Sequence, residues 1–273
     1  MLELILFALS ALNNSDDWQA KLRPTTELIE IIEPARVPIK NETSLEPKLL
    51  EDKTVAVWAQ DLNSGKKLFT KNAQRSQNIA SLTKIMTFLV IWDEHDIDEV
   101  VFVPRTASEA IGAGIDLYQY EKISVETLLE AILIPSANDA AIALALHNSG
   151  SEIEFAKKMN QYAKKVGLKT AEFHNSTGLD IREAKTGKYY GNMMSANDIA
   201  KMTKLALKNK FFRETVAKRE FYGISVDEQF AHSKSSTNQL FGSFVGTKGV
   251  KTGYTELAGQ CLVHLSERED GVE

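Results

Sequence analysis

From about Asp52 onward, strand-like segments stand at the two ends of this sequence and helical segments fill the middle. Val55-Ala56-Val57-Trp58 and Lys67-Leu68-Phe69 read as two strands joined by the turn Asp61-Leu62-Asn63-Ser64-Gly65. Phe241 to Val263 returns to strand-like segments around glycines. Between them the pattern predicts a helix after Ser81, then helices over 127–134, 138–146, 155–166 and 195–207. Ser124 is placed to cap the second, Pro135 breaks it, and Gly167 ends the fourth. Strands that far apart must meet in one sheet, with a helical subdomain inserted between them. The expected fold class is α/β of the α+β type.

The N-terminal part has a different texture. Met1 to Leu12 is almost wholly apolar, too short to span a bilayer as a helix, and carries Glu3 in place of a basic start. It reads as an export signal or anchor remnant, with a short buried helix as the alternative. Residues 13–50 hold four of the six prolines and read as an extended linker, in which Glu27 to Ile32 could form a short local element. Residues 51–273 are then the folded domain.

Composition excludes several functions. With a net charge of −5 and no dense basic run, nucleic acid is not an expected partner. The single cysteine, Cys261, lies in an apolar run, forms no internal disulfide and is expected in the core. The five histidines make no His-x-x-x-His pair or Cys/His cluster, so no metal site is expected, and no phosphate-binding loop or other cofactor motif is found.

Ser81-Leu82-Thr83-Lys84 carries the chemistry. Residues three apart share a helix face, so the Ser81 hydroxyl can meet the Lys84 amine. A serine is a weak nucleophile until a neighbour takes its proton, and a lysine can do so only with a lowered pKa. A second Ser-x-x-Lys, at Ser64 and Lys67, falls in the hairpin turn and reads as structural. Ser136-Ala137-Asn138 sits on the tight connection after Pro135 and offers a proton-passing hydroxyl and an amide. These groups can orient the lysine amine and hold a substrate's peptide carbonyl. Its repeat at Ser195-Ala196-Asn197-Asp198 reads as a capping box. Lys251-Thr252-Gly253 lies on a strand edge, where cation and hydroxyl can grip a carboxylate and glycine admits a ligand's backbone. Its copy, Lys185-Thr186-Gly187, lies in a polar stretch and reads as a surface loop.

Ser-x-x-Lys, Ser-x-Asn and Lys-Thr-Gly in this order match the signature of penicillin-binding proteins and class A β-lactamases. Their surroundings resemble the low-molecular-mass D-alanyl-D-alanine carboxypeptidases: Ile79 to Thr87, Leu133 to Ala141, Phe173 to Leu179 and Gly249 to Thr255. The resemblance covers about residues 52–271. It implies a β-lactamase/transpeptidase-like fold, with a mainly antiparallel sheet and flanking helices. It also implies a mechanism. Ser81 attacks the bond between two D-alanines of a peptidoglycan stem peptide, with Lys84 as base and Ser136 relaying the proton. Asn138 holds the substrate amide, Lys251 and Thr252 bind the carboxylate, and the Ser81 and Tyr254 N–H groups form the oxyanion hole. Gly253 lets the substrate approach.

β-Lactams would act as covalent inhibitors, and the protein would be exported to the periplasmic or outer face of the cytoplasmic membrane, with attachment through its N-terminus. The sequence does not separate a carboxypeptidase from an endopeptidase of the same family. No Glu-x-x-Leu-Asn segment is present, which argues against a β-lactamase, and the intact motifs argue against an inactive peptidoglycan-binding module.

The resemblance also sets an expectation about the sheet. Asp270-Gly271 is a hairpin signal after the strand over 260–265. In the family fold the next strand lies between that hairpin and the first strand, and a helix follows. The chain thus reads as truncated before its last strand and helix. An empty interior slot would leave N–H and C=O groups unpaired on both neighbours, so poor folding is expected.

Overall fold

The computed structural model describes residues 2–10 and 54–268. The predicted linker over 13–50, the local element within it and the Asp270-Gly271 turn lie outside the described residues. The strands are β1 (Leu2–Ser10), β2 (Ala56–Asp61), β3 (Lys67–Lys71), β4 (Ser76–Asn78), β5 (Val100–Phe102), β6 (Lys122–Ser124), β7 (Ile181–Arg182), β8 (Tyr189–Tyr190), β9 (Met193–Ser195), β10 (Glu220–Ile224), β11 (Ala231–Ser235), β12 (Thr247–Thr255) and β13 (Gly259–Arg268). The helices are α1 (Lys84–Glu94), α2 (Arg105–Ser108), α3 (Val125–Leu133), α4 (Asn138–Ser149), α5 (Glu152–Lys165), α6 (Ala196–Ala206) and α7 (Lys210–Val216).

Five strands form the main antiparallel sheet in the order β12-β13-β1-β2-β3. It joins the two ends of the chain, as the strand–helix–strand pattern requires. The expectation of an empty interior slot is corrected. Leu2–Ser10 fills it, pairing along its length with β13, Leu2 opposite Arg268 through Ser10 opposite Gln260, and with β2 from Leu4 opposite Asp61. A nine-residue run suits a strand between neighbours of ten and six residues. Seated there it pairs backbone groups that two flanking edges would otherwise expose. The expected division at residue 12, with 1–12 as a segment apart from the domain, therefore differs from the structure.

Helix α1 is the hub. Lys84 to Ile91 are all buried, so the helix is covered on every side rather than on one stripe. It packs against α3, α4, α5 and α6. Phe88 anchors an aromatic group with Trp92 and Phe212, at centroid separations of 5.5 and 4.9 Å. Local signals act as read. Ser124 and Ser195 accept from Thr127 N and Asp198 N as N-caps, and Cys261 is buried in the core. Asp61 Oδ1 accepts from Asn63 N and Ser64 N in the β2–β3 turn, which fixes Ser64 as a turn residue. Several elements have no counterpart in the sequence reading, among them α2, α7, β4, the β7–β8 pair and the β10–β11 hairpin. The strand expected from Phe241 begins only at Thr247.

Candidate active site

The serine enters α1 on a tighter turn than an α-helix. Ala80–Thr83 is a 3₁₀ turn, and α1 begins at Lys84. In 3₁₀ geometry residues three apart eclipse each other, which brings the half-buried Ser81 directly onto Lys84. The Lys84 Nζ–Ser81 Oγ distance is 3.1 Å. Lys84 is itself wholly buried. Its amine also donates to Asn138 Oδ1 at 2.7 Å and to the Thr177 carbonyl at 2.8 Å. Both acceptors lack a proton to give, so they consume two N–H bonds in either protonation state. In the neutral amine the third position is a lone pair, and it faces the Ser81 hydroxyl. That is the geometry of a general base.

The electrostatics favour the neutral form. Burial holds the Lys84 pKa well below lysine's usual value, and the neighbouring Lys251 charge pushes the same way. Asp139 and Glu152 oppose them by attracting the ammonium. Lys251 is also buried, which lowers its own pKa to about 7, and its Nζ donates to the Thr252 carbonyl at 2.9 Å.

Asn138 is buried and engaged at both ends. Its Oδ1 accepts from Lys84, and its Nδ2 donates to the Ile111 carbonyl at 2.8 Å. Asn138 thus orients the lysine amine as the sequence reading expects, and Nδ2 keeps one further proton. Ser136 is buried in the connection between α3 and α4, with a left-handed φ of 65°. Next to Asn138, Asp139 accepts from Ile115 N at 3.0 Å and Leu117 N at 3.2 Å, tying the 111–117 loop to the start of α4.

β12 is the edge strand of the main sheet, so every second backbone group points away from β13 and is open to a ligand. Its Lys251-Thr252-Gly253 segment lies against the serine turn. A Cβ placed on Gly253 would sit 2.8 Å from Ser81 N and 3.1 Å from Ala80 Cβ. Only glycine lets strand and turn come this close. Thr252 and Thr237 share a hydrogen bond of 2.6 Å, and Tyr254 is exposed.

The structure brings Ser81, Lys84, Asn138 and Gly253 into one place, with Ser136 and Lys251 in the elements that enclose it. The third wall is the loop over 174–179, which the sequence reading singled out by resemblance but gave no role. Thr177 gives its carbonyl to Lys84, and the Ser176 carbonyl accepts from Thr87 Oγ1 at 2.7 Å. Glu152 holds this loop from below, accepting from Ser176 Oγ at 2.6 Å and Ser176 N at 2.8 Å. Gly178 closes it: a Cβ there would meet Ala80 O at 1.9 Å, and its φ is +87°.

The family profile of D-alanyl-D-alanine carboxypeptidases matches residues 42–271. The chain belongs to this family. It is 38% identical over 212 residues to D-alanyl-D-alanine carboxypeptidase DacF of Bacillus subtilis, covering 76% of this chain and 52% of that protein. It is 30% identical over 208 residues to the D-alanyl-D-alanine endopeptidase of Pseudomonas aeruginosa, covering 74% of this chain and 64% of that protein. The chain spans about half the length of the curated carboxypeptidases it matches, 52% for the Bacillus protein and for DacC of Escherichia coli. The crystal structure of the Streptomyces K15 DD-transpeptidase superposes with a TM-score of 0.68 at 28% identity, covering 77% of this chain and 84% of that one. The expected DD-peptidase fold, a mainly antiparallel sheet with helices around it, is the fold observed.

Proposed function

We propose that this chain is the catalytic part of a serine-type D-Ala-D-Ala carboxypeptidase that removes the terminal D-alanine from peptidoglycan stem peptides. One observation carries the reading: the buried Lys84 amine, its two other contacts taken by acceptors, presents its remaining position to Ser81 Oγ. The Ser81 proton passes to Lys84 as Oγ bonds to the penultimate D-alanine carbonyl. The resulting oxyanion lies between the N–H groups of Ser81 and Tyr254; one such donor is worth about 100- to 1000-fold in rate. The C–N bond then breaks, and Ser136 relays a proton to the leaving amine. Water hydrolyses the ester and restores Ser81. Lys251 and Thr252 receive the terminal carboxylate, which in turn stabilises the Lys251 ammonium. Asn138 lends its free amide proton to the substrate.

The same serine would be acylated by β-lactams, which leave slowly in the absence of a deacylating glutamate. The substrate places this chemistry outside the cytoplasm. No helix among the described residues is long and apolar enough to cross a membrane, and attachment through Leu2–Ser10 would require that strand to leave the sheet.

The likeness to D-alanyl-D-alanine endopeptidases supports a second reading, cleavage of cross-links between stem peptides. Product analysis separates the two. D-Alanine release from a Lys-D-Ala-D-Ala peptide, outpacing cleavage of a cross-linked dimer, is the expected result. Cleavage of the dimer alone would assign the endopeptidase, and cleavage of neither would overturn the peptidase reading.

A further inference from the structure

A second cluster of chemistry-bearing side chains lies at the opposite ends of the two helices that carry Lys84 and Asn138. His95 follows the last residue of α1, His147 sits in the last turn of α4, and Glu99 lies on the segment leading to β5. Glu99 Oε2 is 2.8 Å from His95 Nδ1 and 3.2 Å from His147 Nε2. One donor atom from each of the three residues falls within 4.8 Å of the others. We propose that His95, Glu99 and His147 form a binding site for a divalent transition metal, filled by Zn²⁺.

The geometry is close to what zinc needs. Zinc–nitrogen and zinc–oxygen bonds of about 2.1 Å set the edges of a coordination tetrahedron at about 3.4 Å. The two nitrogen–oxygen separations, 2.8 and 3.2 Å, lie near that edge. In the present structure the contacts are hydrogen bonds, so imidazole protons stand between the nitrogens and Oε2. A metal replaces those protons and draws three lone pairs onto one point. Two imidazoles and a carboxylate suit zinc, and water completes the fourth position, because the side chains are 15, 38 and 26% exposed for His95, Glu99 and His147.

A backbone contact holds the carboxylate ligand in place. Glu99 Oε1 accepts from Asp96 N at 2.9 Å, which turns Oε2 toward the two rings. Asn148 Nδ2 donates to Glu94 Oε2 at 2.8 Å and lies 2.9 Å from His95 Nε2, which keeps the ring proton on Nδ1 in this structure; zinc at Nδ1 moves that proton to Nε2, and the Asn148 amide must turn away. The Asp96 contact orients the carboxylate before the metal arrives. No sequence pattern marks this cluster, because His147 is 48 residues from Glu99. At the near ends of the same helices, Lys84 and Asn138 are joined by a 2.7 Å hydrogen bond. Zinc at the far ends would clamp the pair.

Titration calorimetry with ZnCl₂ on the tag-free 273-residue chain, first stripped with a chelator, tests the site. One zinc per chain is expected, with a Tm rise of several degrees on saturation. Glu99→Gln and His147→Ala should each weaken binding about tenfold or more, while His174→Ala, at a separate His174–Glu172 pair, should not. No zinc uptake, or uptake unchanged in both ligand variants, overturns the proposal. Anomalous scattering at the zinc edge from wild-type crystals gives a reading independent of any variant. A peak within bonding distance of all three side chains supports the site, and a peak elsewhere or none overturns it.

Discussion

A lysine in water is a cation, and this chain lowers the Lys84 pKa, as the proposed role of base requires, by denying it water and setting a second lysine nearby. Burial is the larger cause of its lowered pKa, and the Lys251 charge adds to it. The sign of the pH dependence follows. The reactive state has Lys84 neutral, so acylation rises as pH climbs through the Lys84 pKa. Lys251→Gln removes a repelling charge, so the Lys84 pKa must rise and the acid limb must move to higher pH. The rate of penicillin acylation against pH measures this. The position of the limb is the readout, because the variant also loses its carboxylate grip. An unmoved limb would show that Lys251 does not tune the base. At this scale the sequence was informative wherever a side chain carries the chemistry. It was silent on the Thr177 carbonyl, which every residue type possesses, and on Glu152, whose distance along the chain hides its contact with Ser176.

Elements matter here mainly through how closely they approach. The serine turn, β12 and the loop over 174–179 meet backbone to backbone, and glycine is required at both contacts. Gly178→Ala would place a methyl 1.9 Å from Ala80 O on a residue with φ of +87°. Backbone cannot yield as a side-chain tip can, so a loss of about 2–4 kcal/mol is expected. Urea unfolding measures it, and a loss under about 0.5 kcal/mol would mean the loop shifts freely. Helix existence and caps were legible because capping and apolar spacing are local. The β10–β11 hairpin was not, since its anchor is remote. His232 Nδ1 donates to the Ile115 carbonyl at 2.8 Å, and Nε2 pairs with Glu121 at 2.7 Å. The Glu121 hydrogen bond raises the His232 pKa, which favours the imidazolium form.

At the scale of the whole fold, the described residues form a sheet closed by distant strands around one buried helix. The five-strand order brings the chain's first described residues between β13 and β2. Strand type and sheet class were readable from both ends of the sequence, but the occupant of the central slot was not. An apolar run of that length satisfies the demands of an export signal and of a buried strand equally, and only pairing partners distinguish them. What the assembled sheet and helix accomplish is to hold Ser81 Oγ at 3.1 Å from a buried amine whose pKa is lowered. Labelling with a fluorescent penicillin, followed by peptide mapping, reads that outcome directly. The label should map to Ser81 and vanish in Ser81→Ala that remains folded by circular dichroism. A folded Ser81→Ala chain that takes up label at the wild-type rate would contradict the account.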